Sequence, residues 1–237
     1  MTARAALVTG ASAGIGLAVS RTLTERGYGV TMVARDPQRL EAAALDGALT
    51  VAADAADDEA MQAALQRHME RWGRLDVAVA NAGTGSGGAV ASTKPHHLDR
   101  MLRTNVAALF TLARHAMPAL RQAGAEHQSA WFVVTASISG VRPAPGFAAY
   151  SASKAAALSV ARSVDMEEAS SGVRACALCP GFVETAMTEW TRDSVPADRM
   201  LQPGDVAAAV RFLLELSPNA RVTEIVIGRT GAGWQEP

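Results

Sequence analysis

Tyr150 and Lys154 stand four residues apart in the run Tyr150-Ser151-Ala152-Ser153-Lys154, and Ser137 follows the β-rich run Trp131-Phe132-Val133-Val134-Thr135-Ala136. Residues four apart share one face of a helix, and the alanine content from Ala148 onward favours that conformation. Such a face can hold a phenol beside an ammonium. A free phenol titrates near pH ~10, so it moves protons at neutrality only where a positive charge stabilises the phenolate. Lys154 is placed to supply that charge and to depress the phenol pKa. The same spacing occurs on ordinary solvated helices, so the pair takes its meaning from the rest of the chain.

A second feature with chemistry is the turn Thr9-Gly10-Ala11-Ser12-Ala13-Gly14-Ile15-Gly16, which leaves an apolar run and opens a helical stretch. Glycine at 10, 14 and 16 lets the backbone turn tightly and approach a phosphate, whose charge is favoured by the free N–H groups of a helix N-terminus. Other chemistries find little support. Cys176 and Cys179 resemble a redox pair, but they lie in an expected strand whose alternation turns them to opposite faces, so they read as buried free thiols. His68, His96, His97, His115 and His127 show no ligand spacing, and no metal is expected. A net charge of -1 gives no reason to expect nucleic acid or a membrane as partner. The apolar stretch at the N-terminus is too short for a secretory signal, which points to a cytoplasmic protein.

The elements that must position these groups alternate along the chain. Apolar, β-rich runs at 5–9, 29–34, 49–52, 75–80, 130–136, 173–179 and 222–227 are separated by helical stretches at 15–26, 57–71, 97–122, 148–170 and 204–216. Strands apolar throughout suit burial on both faces, and the βα alternation predicts a doubly wound parallel sheet of seven strands in an α/β fold. Gly27, Pro95 and the run Pro203-Gly204-Asp205 mark helix boundaries. No linker or composition shift divides the 237 residues, 49% hydrophobic and 19% charged, so a single domain is expected, with a substrate lid at about 186–202.

The glycine spacing, together with Asp54, Asn81-Ala82-Gly83, Asn105, Ser137, Tyr150 with Lys154, and Pro180-Gly181-Phe182-Val183-Glu184-Thr185, resembles the short-chain dehydrogenase/reductase family over nearly the whole length. The resemblance implies a Rossmann-like fold and an oxidoreductase that passes hydride between a nicotinamide and a carbonyl or secondary alcohol of small to medium size. Tyr150 would be the general acid and base, Lys154 would also hold the nicotinamide ribose, Ser137 would bond the substrate oxygen, and Asn105 would hold a water of the proton relay. Thr9, Gly10, Ser12, Gly14, Ile15 and Gly16 would cradle the pyrophosphate. Asp54 would meet the adenine edge, Asn81, Ala82 and Gly83 would border the cofactor, and Pro180, Gly181, Val183 and Thr185 would face the nicotinamide.

Ala34 stands where NAD-preferring members usually carry aspartate, and Arg35 matches the basic position of NADP-preferring ones, so NADP(H) is expected. The adjacent Asp36, and Ala13 where many such relatives carry a second basic residue, keep NAD(H) as the alternative. Ser139 is a rival hydroxyl to Ser137, and Phe147, Phe182, Met187 and Trp190 are expected near substrate. Family members commonly pair through their two long helices, implying a homodimer or homotetramer. A catalytically silent dinucleotide-binding subunit, or an epimerase or dehydratase, are the competing readings. The end Thr223–Trp234 departs from the Asp-Gly-Gly ending of relatives that make fatty-acid or polyketide intermediates.

Overall fold

A computed structural model of the chain describes residues 4–232, so Gly233 and Trp234 of the C-terminal stretch lie outside the described residues. Along the chain run β1 (Ala5–Thr9), α1 (Gly14–Glu25), β2 (Gly29–Ala34), α2 (Pro37–Ala42), β3 (Leu49–Ala52), α3 (Asp58–Trp72), β4 (Val77–Ala80), α4 (Pro95–Leu102) and α5 (Ala108–His127). After these come β5 (Ala130–Thr135), α6 (Ile138–Val141), α7 (Ala148–Glu167), β6 (Val173–Pro180), α8 (Pro203–Glu215) and β7 (Glu224–Ile227). The seven strands form one sheet in the order β3-β2-β1-β4-β5-β6-β7, every pair parallel. Strand order reverses between β1 and β4, and such reversals open a crevice at the carboxyl ends of the strands.

Alternation along each strand feeds two cores. Leu7, Ala78, Phe132, Val134 and Cys179 face the side covered by α3, α5 and α7. Val8, Met32, Val79, Trp131 and Cys176 face the side covered by α1 and α8. Cys176 and Cys179 therefore point to opposite faces as free thiols, and burial pushes both up to about 12, far from the thiolate form. Among the described residues no helix is long and apolar enough to cross a membrane.

The expected helix over 97–122 is not one element. It divides into α4, a π-helical turn at Arg103–Ala107 and α5, with Asn105 buried in the π turn. The side chain of Asn105 bonds both backbone groups of Thr84, which fixes the extra residue of the turn in place. Helix α2 was not expected from the sequence, because six residues carry too little periodicity to register. It exists because Pro37 starts it and the Asp36 carboxylate accepts from the N–H groups of Gln38 and Arg39.

The opposite end of the sheet is held by buried polar groups. Burial alone would raise the Asp76 carboxyl, but Arg74, the Ala5 N–H and His127 hold it below its ordinary value. Nearby, Trp72 Nε1 donates to Thr31 Oγ1 at 3.0 Å, which leaves the Thr31 hydroxyl to donate to His68 Nδ1 at 2.8 Å. His68 Nε2 donates to the Arg74 carbonyl at 2.9 Å. The network assigns His68 the neutral tautomer protonated at Nε2. Burial pushes its pKa down to about 4, although the bond to Arg74 opposes the change.

An unfolded chain protonates this imidazole below pH 6.5, whereas the folded chain does so only near 4. The contribution is therefore full above pH 6.5 and is lost as pH falls toward 4, on the order of 3 kcal/mol. Thermal unfolding followed over that window should show a falling Tm, and His68→Gln should flatten that part of the profile.

Candidate active site

The carboxyl ends of β1, β4, β5 and β6 border a cleft of about 350 Å3. On one side lies the glycine turn. Gly10 and Gly14 have φ of 66° and 53°, in the region that glycine enters without strain. A Cβ on Gly14 would stand 2.9 Å from Thr185 Cγ2 and would fill the gap between the turn and the chain after β6. A Cβ on Gly16 would collide with the Gly10 carbonyl, so this third glycine serves helix packing rather than the cleft. No side chain caps the N-terminus of α1 and no acidic residue sits in its first turn. Backbone N–H groups there are left to an anion, and a bare-backbone wall of this shape fits a dinucleotide pyrophosphate.

The turn is tied to β4 and β5. Thr9 Oγ1 accepts from the N–H groups of Asn81 at 3.0 Å and Ala82 at 3.1 Å. Asn81 Nδ2 donates to the carbonyls of Thr9 at 3.1 Å and Gly10 at 3.3 Å, while its Oδ1 accepts from Thr135 Oγ1 at 3.1 Å. The carbonyl of Thr135 then accepts from Lys154 Nζ at 2.7 Å.

Ser137, Tyr150 and Lys154 converge at the cleft floor. Ser137 caps α6, its hydroxyl accepting from the Ser139 N–H at 3.2 Å, and a side-chain hydrogen bond joins it to Tyr150. Lys154 is buried with its Nζ 5.9 Å from the centroid of the Tyr150 ring. Burial brings the ammonium down to about 8. It raises the Tyr150 phenol above its ordinary value, and the counterweight is the bond to Ser137 rather than the Lys154 charge expected from the sequence. Gly140 sets the distance between α6 and α7, since a Cβ there would lie 2.6 Å from the Lys154 carbonyl carbon and oxygen.

The expected residues Gly10, Gly14, Ile15, Asn81, Ala82, Gly83, Pro180, Gly181, Val183, Thr185, Ser139, Phe147, Phe182, Met187 and Trp190 also line this cleft. Thr9, Ser12, Gly16, Arg35, Asp54 and Asn105 are not among the lining residues. Asp54 instead accepts from the Ala56 N–H and pairs with Arg103 at 3.2 Å. Asn105 Nδ2 donates to the Thr84 carbonyl and to Ser153 Oγ, which in turn donates to the Tyr150 carbonyl. Its side chain thus braces the loop after β4 against α7. Arg39 of α2 lines the cleft and was missed by the sequence reading, its only signal being a second guanidinium soon after Arg35. The segment 186–202 holds two 3-10 turns, Ala186–Thr191 and Ala197–Arg199, and is pinned where Val183 and Leu201 bridge.

Residues 4–195 match the profile of the family described as short chain dehydrogenase. The chain belongs to that family. Short-chain dehydrogenases that it resembles include the 2-(R)-hydroxypropyl-CoM dehydrogenase of Xanthobacter autotrophicus, 35% identical over 89% of this chain and 90% of that protein. Among solved structures, a 3-ketoacyl-(acyl-carrier-protein) reductase from Brucella melitensis complexed with NADH superposes with a TM-score of 0.88 at 30% identity, covering 95% of this chain and 96% of the other. An alcohol dehydrogenase from the archaeon Thermococcus sibiricus complexed with 5-hydroxy-NADP gives 0.87 at 29% identity, covering 99% and 98%. This short-chain dehydrogenase is an NAD(P)-dependent oxidoreductase.

Gly140→Ala should force α6 and α7 apart. Denaturant unfolding is expected to show a loss of about 1–3 kcal/mol, as overpacking of a tight contact costs. Turnover should fall along with it, because Ser137 and Lys154 sit on the two sides of that contact.

Proposed function

We propose that this protein reduces a ketone or aldehyde of small to medium size, or oxidises the matching secondary alcohol, using NADP(H), with Tyr150 as the proton donor and acceptor. The observation that carries this reading is the joined pair Ser137 and Tyr150 over buried Lys154, in the same cleft as the glycine turn. A nicotinamide bound there supplies or accepts the hydride. Tyr150, protonated at neutral pH, gives its proton to the alkoxide oxygen as charge develops, and Ser137 steadies that oxygen with a hydrogen bond. Lys154 stands with Nζ 5.9 Å from the ring centroid and keeps its position through the Thr135 carbonyl. Asn105 acts through Thr84 and Ser153 on the loop and helix that flank the reacting atoms. A silent binding subunit would not need this set, and nothing in the geometry favours an epimerase or dehydratase over the reductase.

Tyr150→Phe should retain NADPH binding in a fluorescence titration and lose turnover by roughly 10²- to 10⁴-fold, the range for a lost general acid. Undiminished turnover would remove Tyr150 from the role.

For the cofactor, Ala34 ends β2 without a carboxylate, and Asp36 directs its charge into α2, where Oδ1 accepts from Gln38 N at 3.0 Å and Arg39 N at 3.1 Å. Exposed Arg35 precedes that cap, and Arg39 shares the cleft wall with Ala13, so α2 supplies the second cation that the glycine turn lacks. Two guanidiniums at the end of β2 suit a 2′-phosphate. Arg35→Ala and Arg39→Ala should each raise KM for NADPH by roughly 10- to 100-fold, as loss of a charge-assisted pair implies. KM for NADH should move little. Wild-type efficiency with NADH equal to that with NADPH would overturn the assignment.

A further inference from the structure

We propose that the substrate is a neutral, compact ketone, or its secondary alcohol, carrying an aromatic or alicyclic ring beside the carbonyl. The inference rests on the reductase reading and narrows it. Beyond Ser137 and Tyr150, three aromatic rings from three separate parts of the chain line the outer cleft. Phe147 enters α7, Phe182 follows β6, and Trp190 belongs to the 3-10 turn Ala186–Thr191. Phe147 is the middle member, with centroids 6.2 Å from Phe182 at 57° and 5.7 Å from Trp190 at 38°. Tilted rings at these separations form an aromatic wall that a further ring suits, since aromatic pairs favour offset and edge-to-face contacts over stacked ones. Trp190 is 54% exposed and Met187 is 42% exposed, although both line the cleft. Apolar surface left wet at the mouth of a site gains from a ligand that covers it.

Charge narrows the class further. Among the described residues lining the cleft only Arg39 and Lys154 carry a charge. Lys154 is committed to the Thr135 carbonyl, and Arg39 lies at the end of β2, beyond the glycine turn from the aromatic rings. A carboxylate, phosphate or sulfonate in the outer cleft would shed water without gaining a cation, and an unpaired buried charge is costly. Arg229 sits over the Phe182 ring at 5.8 Å, outside the set of lining residues, and is the rival anion partner to be tested.

Size follows from the loop after β4. A Cβ on Gly85 would stand 3.1 Å from Tyr150 Cε2, and one on Gly87 3.3 Å from Trp190 Cη2. The loop therefore packs close to both the phenol and the indole, which narrows the cleft on that side and favours a compact substrate.

The test uses the full chain with NADPH and three methyl ketones: acetophenone, its para-carboxylate analogue, and an open-chain ketone of the same carbon count. kcat/KM for acetophenone should exceed each of the others by roughly 10-fold or more, the scale on which an apolar pocket discriminates. Trp190→Ala should bring the ratio of acetophenone to the open-chain ketone toward one. Turnover that favours the open-chain ketone overturns this inference alone. Turnover that favours the carboxylate also overturns it, and loss of that preference in Arg229→Ala would assign the anion to Arg229. If NADPH binds and none of the three ketones oxidises it, the reductase reading and this inference fall together.

Discussion

The amide of Asn81 is the constraint on which the cleft depends. It spans three strands at once, donating to the backbone of the glycine turn after β1 and accepting from Thr135 at the end of β5, while its own backbone is held by Thr9. Parallel strands that end side by side leave backbone groups with no ladder partner, and such groups must be satisfied in some other way. Here one side chain satisfies several of them and fixes the shape of the glycine turn as it does so. A shift of β4 along the sheet would change the turn and the floor beneath Lys154 together.

Polar groups elsewhere in the cleft are used in the same economical manner. Lys154 is buried and would be expensive as a lone charge, yet it gains a short bond to the Thr135 carbonyl. Tyr150 is joined to Ser137, and Ser137 is positioned by capping a helix of four residues. Asn105 is buried with both ends of its amide occupied by Thr84 and Ser153. These polar side chains thus stand in positions fixed by the protein's own bonds, which is the condition under which electrostatic stabilisation is most effective. The thiols show the contrast: Cys179 lies close enough to affect Lys154, but burial keeps it protonated and inert.

Much of this was legible in the amino-acid order, because strands covered on both faces read as short apolar runs and the helices between them are long enough to show a face. All seven strands lie within two residues of the expected positions, and the glycine turn, Asn81, Ser137, Tyr150 and Lys154 share a single cleft. What escaped has local causes. The π turn at Arg103–Ala107 is invisible to a helical pattern, because it depends on an amide that grips Thr84 from a distance in sequence. Arg39 escaped because α2 is set by the Asp36 cap rather than by periodicity. The contact of Gly140 with the backbone of Lys154 is a matter of distance between two helices, which no property of either segment reveals. The phenol pKa was misjudged because spacing on one helix shows Lys154 but not the burial and the Ser137 bond that govern it.

The position of β1 in the sheet has a consequence for how the molecule comes to exist. Strand β1 lies inside the sheet, between β2 and β4, and no two of the described strands form a hairpin. Thr9 waits for Asn81, 72 residues later, and Asn81 waits for Thr135, 54 residues beyond that. Contacts so distant along the chain make for slow folding and for a period in which unpaired strand edges are open to other chains. The glycine turn, although written in eight consecutive residues, therefore gains all of its bonds only once β4 and β5 lie beside it.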